Sequence, residues 1–422
     1  MTGTRRRLAE NFVSLSIVQG LSIFFPLIIF PYLLRVLGVA GFGVFTLVQT
    51  FIMYFDLLVS FGFGLTATQR ITKHQKNGHE INRIISGVYL IKLLLFSISV
   101  IVFLATAIFI PYVKENLLLI LVASLYLLGN LIMPDWYFQG IQKMKTITTV
   151  AFISRCISFI LIILLVKSAD DVVYAILAIG AGNLIAGAVG FGSMIRRKKI
   201  IWENPGKNYL KDQFKESGYV FSSIILAPLY SSVNLFILQF FTNPLVVGTY
   251  AIAEKIFTSV SMFTGIVNRT FYPHLAQLWE TSVTGYRKNV KNIIYGFLAA
   301  FFAIAVFQFF GAEFILMVVG GKKNMANIHE AAVLLRVLSV ALIYSPFVSF
   351  FFQLMVLQDQ KKETVPNIIL TVIINLVTAS IAAYYFGALG MAVNLALIML
   401  LIAFLNFRGF YRGLLRRERL TL

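Results

Sequence analysis

The chain is dominated by a near-continuous succession of apolar stretches, most of them close to the length of a membrane-crossing helix. Such a helix needs roughly 20 apolar residues, because the hydrocarbon core of a bilayer is about 30 Å thick. Hydrophobic residues make up 59% of the chain and charged residues only 13%, and the mean hydropathy is +0.85. A soluble domain with so few charged residues could not cover its surface with polar groups. The sequence therefore predicts an all-α membrane protein.

The apolar stretches divide into twelve predicted transmembrane spans. The first follows the basic run at Arg5, Arg6 and Arg7 and continues through Pro26 and Pro31 without a small-residue cleavage site. It is therefore expected to be a retained helix rather than a signal peptide. The predicted spans cover residues 11–34, 41–64, 83–111, 117–134, 147–166, 171–195, 219–241, 249–270, 292–318, 331–357, 366–386 and 388–407.

The distribution of lysine and arginine predicts how these spans are oriented. If the N-terminus is cytoplasmic, 27 of the 36 basic residues fall in cytoplasmic segments or at their edges. Basic residues accumulate on the cytoplasmic side of membrane proteins, so both termini are predicted to be cytoplasmic. The net charge of +19 is thus a signal of topology, and no nucleic-acid partner is expected. Five basic residues fall on the outer side: Arg35, Lys114, Lys167, Lys322 and Lys323.

The longest polar stretch, residues 196–217, separates two sets of six spans. We therefore predict an N-terminal lobe over residues 1–195, a basic cytoplasmic linker over 196–218 and a C-terminal lobe over 219–422. Because each lobe has an even number of spans, the two are expected to be related by a pseudo-twofold axis along the membrane normal.

A faint internal repeat agrees with two equivalent lobes. At an offset of 205 residues, the segment that starts at Gly38 aligns with the segment that starts at Asn243. The same offset pairs Gly43 with Gly248. Both segments fall at the same turn of their respective lobes.

Several ionisable residues lie inside the apolar spans, where a charge costs about 2.5–3.5 kcal/mol on insertion scales. They normally face a partner or a polar cavity. For Asp56, a polar cavity and a structural pair with Lys92 on the neighbouring span are equally good explanations. For Arg155 and Lys255 we favour a cavity, since the acidic neighbour Glu254 points about 100° away from Lys255 on a helix.

Two spans carry polar residues at intervals of three or four, which places them on one helix face. The offset of 205 residues brings the two stripes into the same register. Exposure of such stripes to lipid would be unfavourable, so they are predicted to line a cavity between the lobes. Small polar residues also serve helix–helix packing, which is the alternative role. The stripe residues are Gln49 and Ser60 in the second span and Thr258, Ser261 and Asn268 in the eighth, and the eleventh span adds Asn367, Thr371, Asn375 and Thr378.

No sequence pattern predicts catalysis, a metal site or a cofactor. The chain has no glycine-rich phosphate-binding loop, and its longest loop lacks carboxylates arranged for acid–base catalysis. Cys156 is the single cysteine and has no intrachain partner for a disulfide. The histidines, which have no metal-ligand spacing, are His74, His79, His274 and His329.

Four segments resemble the Wzx-type O-antigen flippases, the polysaccharide branch of the multidrug/oligosaccharidyl-lipid/polysaccharide exporter superfamily. The most specific is PDWYFQGIQKMK, Pro134–Lys145; the others are YLLRVLGVAGFGVF (Tyr32–Phe45), FGFGLTATQRI (Phe61–Ile71) and VGTYAIAEKI (Val247–Ile256). The resemblance extends over essentially the whole chain. It departs from the family at Val39, Ala40 and Ser60, where family members often carry acidic residues.

The resemblance implies a transporter of the bacterial inner membrane. Its substrate would be an undecaprenyl-diphosphate-linked oligosaccharide, moved from the cytoplasmic to the periplasmic leaflet by alternating access amid membrane lipid. A polysaccharide polymerase or ligase is a candidate protein partner. Cations must replace the water around a diphosphate inside a membrane, and the expected substrate-binding cations are Arg35, Lys92, Arg155 and Lys255. Asp56 and Glu254 are the candidates to bind a coupling proton or sodium ion.

Two other functions are compatible with the residues. A drug or cation antiporter of the same superfamily would share the fold and prefer acidic cavity residues, whereas basic residues slightly outnumber acidic ones inside the spans here. A membrane-embedded polysaccharide polymerase would need a sizeable extramembrane loop with catalytic acids, which this sequence does not offer.

Overall fold

A computed structural model describes residues 2–109, 117–197, 201–229, 232–321 and 325–421 of the chain. Three of the predicted outer basic residues, Lys114, Lys322 and Lys323, lie outside the described residues, as does the end of the third predicted span. The helices of the described residues, in chain order, are α1 (Thr2–Ser60), α2 (Phe63–Lys73), α3 (Gly78–Phe109), α4 (Leu117–Ile132), α5 (Asp135–Gly140), α6 (Met144–Leu165), α7 (Val172–Arg197), α8 (Lys207–Leu229), α9 (Val233–Phe241), α10 (Pro244–Ser261), α11 (Phe263–Thr281), α12 (Val283–Phe310), α13 (Ala312–Gly320), α14 (Met325–Leu357) and α15 (Lys361–Thr421).

The all-α membrane fold predicted from the sequence is confirmed. Nine described helical segments are long and apolar enough to cross a membrane. Two of these segments, Ile28–Lys73 and Glu363–Arg417, each reach into two predicted spans. The seventh predicted span, 219–241, lies across α8 and α9 and the two undescribed residues between them. With this span included, the described helices account for the twelve predicted crossings of a multi-pass membrane protein.

Two long helices are bent at a single glycine. Gly38 has φ 72° and ψ 177° within α1, and Gly387 has φ 55° and ψ −134° within α15. Residues with a Cβ rarely adopt such a positive φ, so glycine allows the chain to bend without a loop. The boundary between the eleventh and twelfth predicted spans falls at the bend at Gly387. The interval between the first two predicted spans, 35–40, is helical except at Gly38.

Two further predicted spans are interrupted in the structure. The eighth, 249–270, breaks at Met262, and the ninth, 292–318, breaks at Gly311. The backbone hydrogen bonds continue across both breaks: the Met262 N–H donates to the Thr258 carbonyl at 3.0 Å, and the Gly311 N–H donates to the Phe307 carbonyl at 2.8 Å. Both interruptions lie inside apolar runs, so hydropathy alone gives no sign of them.

The start of α10 follows from local sequence. The Asn243 side chain accepts hydrogen bonds from the backbone N–H groups of Leu245 at 3.0 Å and Val246 at 3.1 Å. Pro244 occupies the first turn, where a helix has no use for the missing N–H. This cap fixes the entry of the helix that carries Glu254 and Lys255.

The chain forms two compact units. The first unit comprises Met1–Leu37 and Phe45–Ile225, and the second comprises Gly38–Val44 and Leu226–Leu422. The short segment after the α1 bend thus belongs with the second unit. The lobe boundaries at 195 and 219 stay predictions, and residues 207–218 of the predicted linker form the first turns of α8.

The core of the first unit surrounds α5, where Trp136, Tyr137 and Phe138 are each at most 1% exposed. Side chains of α2 and the turn after it bind the α5 backbone. The Thr68 hydroxyl donates to the Trp136 carbonyl at 3.1 Å, and the Gln75 amide donates to the Gly140 carbonyl at 2.7 Å. Two of the sequence segments that carry the family resemblance are therefore packed against each other.

Candidate functional site

Lys92 of α3 is buried, with only 3% of its surface exposed. Its ammonium group donates a hydrogen bond to the Asn130 carbonyl at 2.6 Å, and the Tyr89 hydroxyl donates to the Ile132 carbonyl at 2.8 Å. Both carbonyls lie at the C-terminal end of α4, where a helix has no internal donors left for them. A positive charge at this end also interacts favourably with the helix dipole. Lys92 therefore stabilises the end of α4, in addition to any role in substrate binding.

Two carboxylates interact electrostatically with Lys92, those of Asp56 on α1 and Asp135 at the start of α5. The first carboxyl oxygen of Asp135 accepts a hydrogen bond from the Trp136 N–H at 2.8 Å. By contrast, Asp56 Oδ1 is buried and has no hydrogen-bond partner among the described residues. A buried carboxyl oxygen without a donor is energetically costly, so it is a chemically reasonable place for a proton or a cation.

Arg155 lies half-buried on α6, and one of its terminal nitrogens donates to the Ala151 carbonyl at 3.3 Å. The guanidinium group also interacts electrostatically with Tyr126 of α4, and Tyr126 interacts in the same way with Asp56. The first unit therefore brings together three of the predicted site residues. We call this set the first-unit cluster; it consists of Asp56, Lys92, Tyr126, Asp135 and Arg155.

Sequence reasoning did not predict the roles of Tyr126 and Asp135. A single tyrosine inside an apolar span carries no periodic signal, and Asp135 lies just outside the fourth predicted span. Other predicted residues lie elsewhere along α1. Arg35 is exposed before the bend at Gly38, and Gln49 and Ser60 are half-buried after it.

A second polar group lies within the second unit. The Asn375 amide donates to Asn234 Oδ1 at 2.9 Å, and the Asn394 amide donates to Asn375 Oδ1 at 2.9 Å. The buried hydroxyl of Tyr250 faces the Asn234 side chain without reaching full hydrogen-bond geometry, and it interacts electrostatically with Glu254 one turn along α10. We call these five residues the second-unit network.

Glu254 and Lys255 are adjacent on α10 and both half-buried, and their charges interact. The structure thus places one predicted coupling carboxylate, Glu254, beside a chain of neutral amides. Asn234, Tyr250 and Asn394 had not been predicted to contribute. Isolated asparagines in three different helices give no signal until the fold brings them together.

The polar stripe predicted for the eighth span makes helix–helix contacts in the second unit. The Ser261 hydroxyl donates to Ser345 Oγ at 3.4 Å, and the Asn268 amide donates to Ser349 Oγ at 3.0 Å. The Thr258 hydroxyl donates to the Glu254 carbonyl within its own helix at 2.9 Å. These contacts favour a packing role for Ser261 and Asn268. A cavity lined by the stripe stays a prediction.

The chemistry available in both groups is the binding and release of ions. Each contains a carboxylate in an environment of low polarity, together with a nearby cation and hydrogen-bonding side chains. Within the described ranges, no group of three or more His, Cys, Asp and Glu side chains is arranged to hold a metal ion. The arrangement suits uptake of a proton or a monovalent cation and electrostatic contact with an anionic group.

Residues 8–279 match the model of a family described as polysaccharide biosynthesis protein, which is more than half of the chain. The chain belongs to this polysaccharide biosynthesis protein family. The matched stretch contains every residue of the first-unit cluster together with Glu254 and Lys255. The resemblance seen in the sequence segments is therefore confirmed at the level of the family.

Two curated relatives of this family member, each named "Putative O-antigen transporter", match over almost the full length. The protein from Shigella dysenteriae is 27% identical over 404 residues, which cover 93% of this chain and 97% of the relative. The protein from Escherichia coli strain K12 is 26% identical over 402 residues, which cover 94% of each chain.

Solved structures show the same fold at low sequence identity. An inward-facing multidrug resistance MATE family transporter of the MOP superfamily aligns with a TM-score of 0.71 at 16% identity, over 97% of this chain and 99% of that one. The lipid II flippase MurJ, in an inward closed conformation, aligns with a TM-score of 0.67 at 13% identity, over 96% of this chain and 90% of that one. This family member therefore has the fold of these membrane proteins.

Proposed function

We propose that this protein is a flippase of the bacterial inner membrane. Its substrate would be an undecaprenyl-diphosphate-linked oligosaccharide repeat unit, moved from the cytoplasmic to the periplasmic leaflet by alternating access. The observation that carries the proposal is the near full-length match to relatives named as O-antigen transporters, within a family described by polysaccharide biosynthesis. A transporter, rather than an enzyme such as a polymerase, is also what the sequence favours.

The cations inside the membrane supply the chemistry that such a substrate needs. A diphosphate carries several negative charges, and its passage through hydrocarbon is prohibitive unless cations and hydrogen-bond donors replace its water. In this proposal Arg155 and Lys255 are the main substrate-binding cations, with Lys92 and Arg35 as further contributors. Arg155 is the strongest candidate because its half-buried guanidinium group interacts with Tyr126, which interacts in turn with the coupling candidate Asp56.

Transport is proposed to be coupled to an ion through Asp56 or Glu254. Asp56 supports this role through its buried oxygen without a donor among the described residues. Glu254 supports it through its position beside Tyr250 and the chain of asparagines. Release of a proton or sodium ion from either carboxylate would change the charge close to a substrate-binding cation.

A complementation experiment tests the function. A bacterial strain that lacks its own repeat-unit flippase would express the wild type or the variants Arg155→Ala, Arg155→Lys and Lys255→Ala, with membrane levels measured for each. Lys145→Ala is the matched control, since Lys145 is an exposed cation at the start of the same helix as Arg155. We expect surface polysaccharide with the wild type and Lys145→Ala, and at least a tenfold loss with Arg155→Ala and Lys255→Ala.

The same strains separate the competing functions. A wild type that restores no polysaccharide with any matched repeat unit, but confers resistance to cationic drugs, would replace the flippase with a drug antiporter. Full activity of Arg155→Ala and Lys255→Ala at normal membrane levels would leave the flippase in place and remove these residues from the substrate site.

A further inference from the structure

A groove of about 260 Å³ lies between α3 and α8 on the first unit. Each helix contributes residues at positions i, i+1 and i+4, so the groove follows one face of each helix. Five of its six lining side chains are apolar, and the sixth belongs to a lysine. The lining residues are Leu90, Ile91 and Leu94 from α3, and Leu210, Lys211 and Phe214 from α8.

The groove is a fixed feature because the other face of α8 is tied to α2 and α3. The Tyr209 hydroxyl donates to Glu80 Oε1 at 3.0 Å, and the Arg83 guanidinium group lies over the Tyr209 ring at 4.2 Å. Two turns further on, Glu216 forms an ion pair with Arg70 at 2.5 Å. These contacts position α8 against α3. Leu90, Leu94, Lys211 and Phe214 form the exposed rim of the groove, and the buried Ile91 forms part of its floor.

Three lysines run along the outward side of α8 at intervals of four residues. Lys207, Lys211 and Lys215 are all exposed, and Lys211 also lines the groove. Of the nearby acidic side chains, Glu216 is paired with Arg70, which leaves exposed Asp212 as the counter-charge beside the stripe. The stripe is therefore net positive and faces away from the bundle.

The apolar side of the groove continues along α3 as a membrane-facing surface. Leu90, Leu93 and Leu94 are 48%, 52% and 54% exposed, and Ile101, two turns further on, is 65% exposed. In a protein that crosses a membrane, exposed aliphatic residues of this kind contact acyl chains. The groove thus joins a hydrocarbon-facing surface at one end to a row of lysines at the other. This arrangement is complementary to an anionic lipid, whose acyl chains lie in the hydrocarbon and whose headgroup lies at the interface.

We propose that this groove is a binding site for an anionic phospholipid of the cytoplasmic leaflet. One acyl chain lies between Leu90, Leu94 and Phe214, and the phosphate is bound by Lys211 with support from Lys207 and Lys215. The cytoplasmic side follows from the predicted orientation of the chain. The site is separate from the residues proposed to bind the transported substrate and does not depend on the proposed function.

Binding of dioleoyl phosphatidylglycerol and dioleoyl phosphatidylcholine to the purified full-length protein, measured by native mass spectrometry, tests the proposal. Lys211→Gln removes the phosphate contact, and Leu94→Trp fills the groove. Lys145→Gln and Leu93→Trp are the matched controls; Leu93 is as exposed as Leu94 but does not line the groove. One lysine near an anionic headgroup contributes about 1 kcal/mol, so Lys211→Gln is expected to weaken phosphatidylglycerol binding about fivefold.

We expect one phosphatidylglycerol to bind more tightly than phosphatidylcholine to the wild type and to both control variants, and Leu94→Trp to abolish this preference. Equal binding of the two lipids, or equal effects of Leu93→Trp and Leu94→Trp, would overturn the site. Displacement of phosphatidylglycerol by one equivalent of undecaprenyl diphosphate would also overturn it, because the groove would then belong to the transported carrier. Circular dichroism and gel filtration of every variant separate these outcomes from misfolding.

Discussion

Gly43 and Gly248 lie against each other in the second unit in a reciprocal way. A Cβ atom on Gly43 would lie 2.2 Å from the Pro244 carbonyl oxygen, and a Cβ atom on Gly248 would lie 2.0 Å from the Val39 carbonyl oxygen. The sequence offset of 205 that pairs the two glycines also pairs Val39 with Pro244. The contact therefore has the symmetry that the internal repeat predicts, since each glycine meets the equivalent carbonyl of the other repeat.

Alanine at either glycine is expected to destabilise the protein. The added methyl group would collide with backbone, which cannot move aside as a side chain can, and overpacking of this kind costs about 1–3 kcal/mol. Gly43→Ala and Gly248→Ala should therefore lower the melting temperature in detergent by several degrees. Gly296→Ala is the control, because nothing lies within 4 Å of a Cβ at that helical position. If all three variants melted together, the close contact would be wrong.

The asparagine chain of the second unit gives a second prediction. Asn375→Leu would leave Asn234 Oδ1 and the Asn394 amide without partners, and each buried orphan group costs about 1–3 kcal/mol, with smaller values common in membranes. We expect a clear loss of thermal stability. Simultaneous replacement of Asn234, Asn375 and Asn394 by leucine should recover part of it, because none of the three amide groups is then left buried without a partner.

The control for the asparagine chain is Thr378→Val, one turn further along α15. Thr378 is exposed, and its hydroxyl donates only to the Ile374 carbonyl of its own helix among the described residues. It should therefore change the melting temperature little. A triple variant less stable than Asn375→Leu would contradict a stabilising network and point to a role for the amides in binding.

The fold was largely predictable because membrane insertion leaves a strong signal in the sequence. Each crossing needs a long apolar run, so the number and order of spans follow from hydropathy. The bend at Gly38 and the helix interruptions at Met262 and Gly311 were not predictable in the same way. Each leaves the apolar run intact, and a glycine is no reliable sign of a bend, since Gly87 and Gly129 lie in unbroken helices.

The candidate site was predictable only at the level of single residues. Asp56, Lys92 and Arg155 stand out because a charge in an apolar span is costly unless it faces a partner or a polar cavity. The partners of these residues do not stand out: Lys92 binds the Asn130 carbonyl, a backbone group that no side-chain pattern reports. For the same reason Ser261 and Asn268 were predicted to line a cavity. Their hydrogen-bond partners Ser345 and Ser349 lie 84 and 81 residues further along the chain, so the sequence pattern gives no sign of the contacts.

Asp171 gives a prediction about pH. Hydrogen bonds from the Lys167 and Ser168 backbone N–H groups, at 2.8 and 2.7 Å, hold the pKa of the Asp171 carboxyl below its ordinary value of 3.8. As the pH falls, Asp171 therefore binds a proton in the unfolded chain before it does so in the folded chain. The ionised carboxylate stabilises the folded state above pH 3.8, and this stabilisation is lost as the pH falls through the folded-state pKa. The wild type should have a higher melting temperature than Asp171→Asn at neutral pH, and the difference between the two melting temperatures should shrink below pH 4.

The neighbouring Asp170 provides the control for this loop. It is exposed and does not accept the two backbone hydrogen bonds that Asp171 accepts. Asp170→Asn should therefore have the same melting temperature as the wild type throughout the pH series. A constant difference between the wild type and Asp171→Asn down to the lowest pH would mean that the asparagine, and not the lost charge, is responsible.

The Asp56–Lys92 relationship can be measured by a double-mutant cycle. Lys92→Met removes the donor to the Asn130 carbonyl and leaves two carboxylates, Asp56 and Asp135, without their cation. Removal of one partner from a buried charged group costs about 3–5 kcal/mol, so this variant should be strongly destabilised. Asp56→Asn in the same chain removes one of the two uncompensated charges. The double variant should therefore be more stable than the sum of the single effects, by a coupling free energy of about 0.5–3 kcal/mol.

A second cycle, Lys92→Met with Asp171→Asn, controls for general destabilisation. Asp171 interacts with its own loop backbone and not with Lys92 among the described contacts. Its cycle should be additive to within about 0.5 kcal/mol. Coupling in the first cycle alone would establish Lys92 as the counter-ion of Asp56. If neither cycle showed coupling, the stability lost in Lys92→Met would come from the end of α4, and Asp56 would be left as a carboxylate whose charge state depends on a bound ion rather than on the protein.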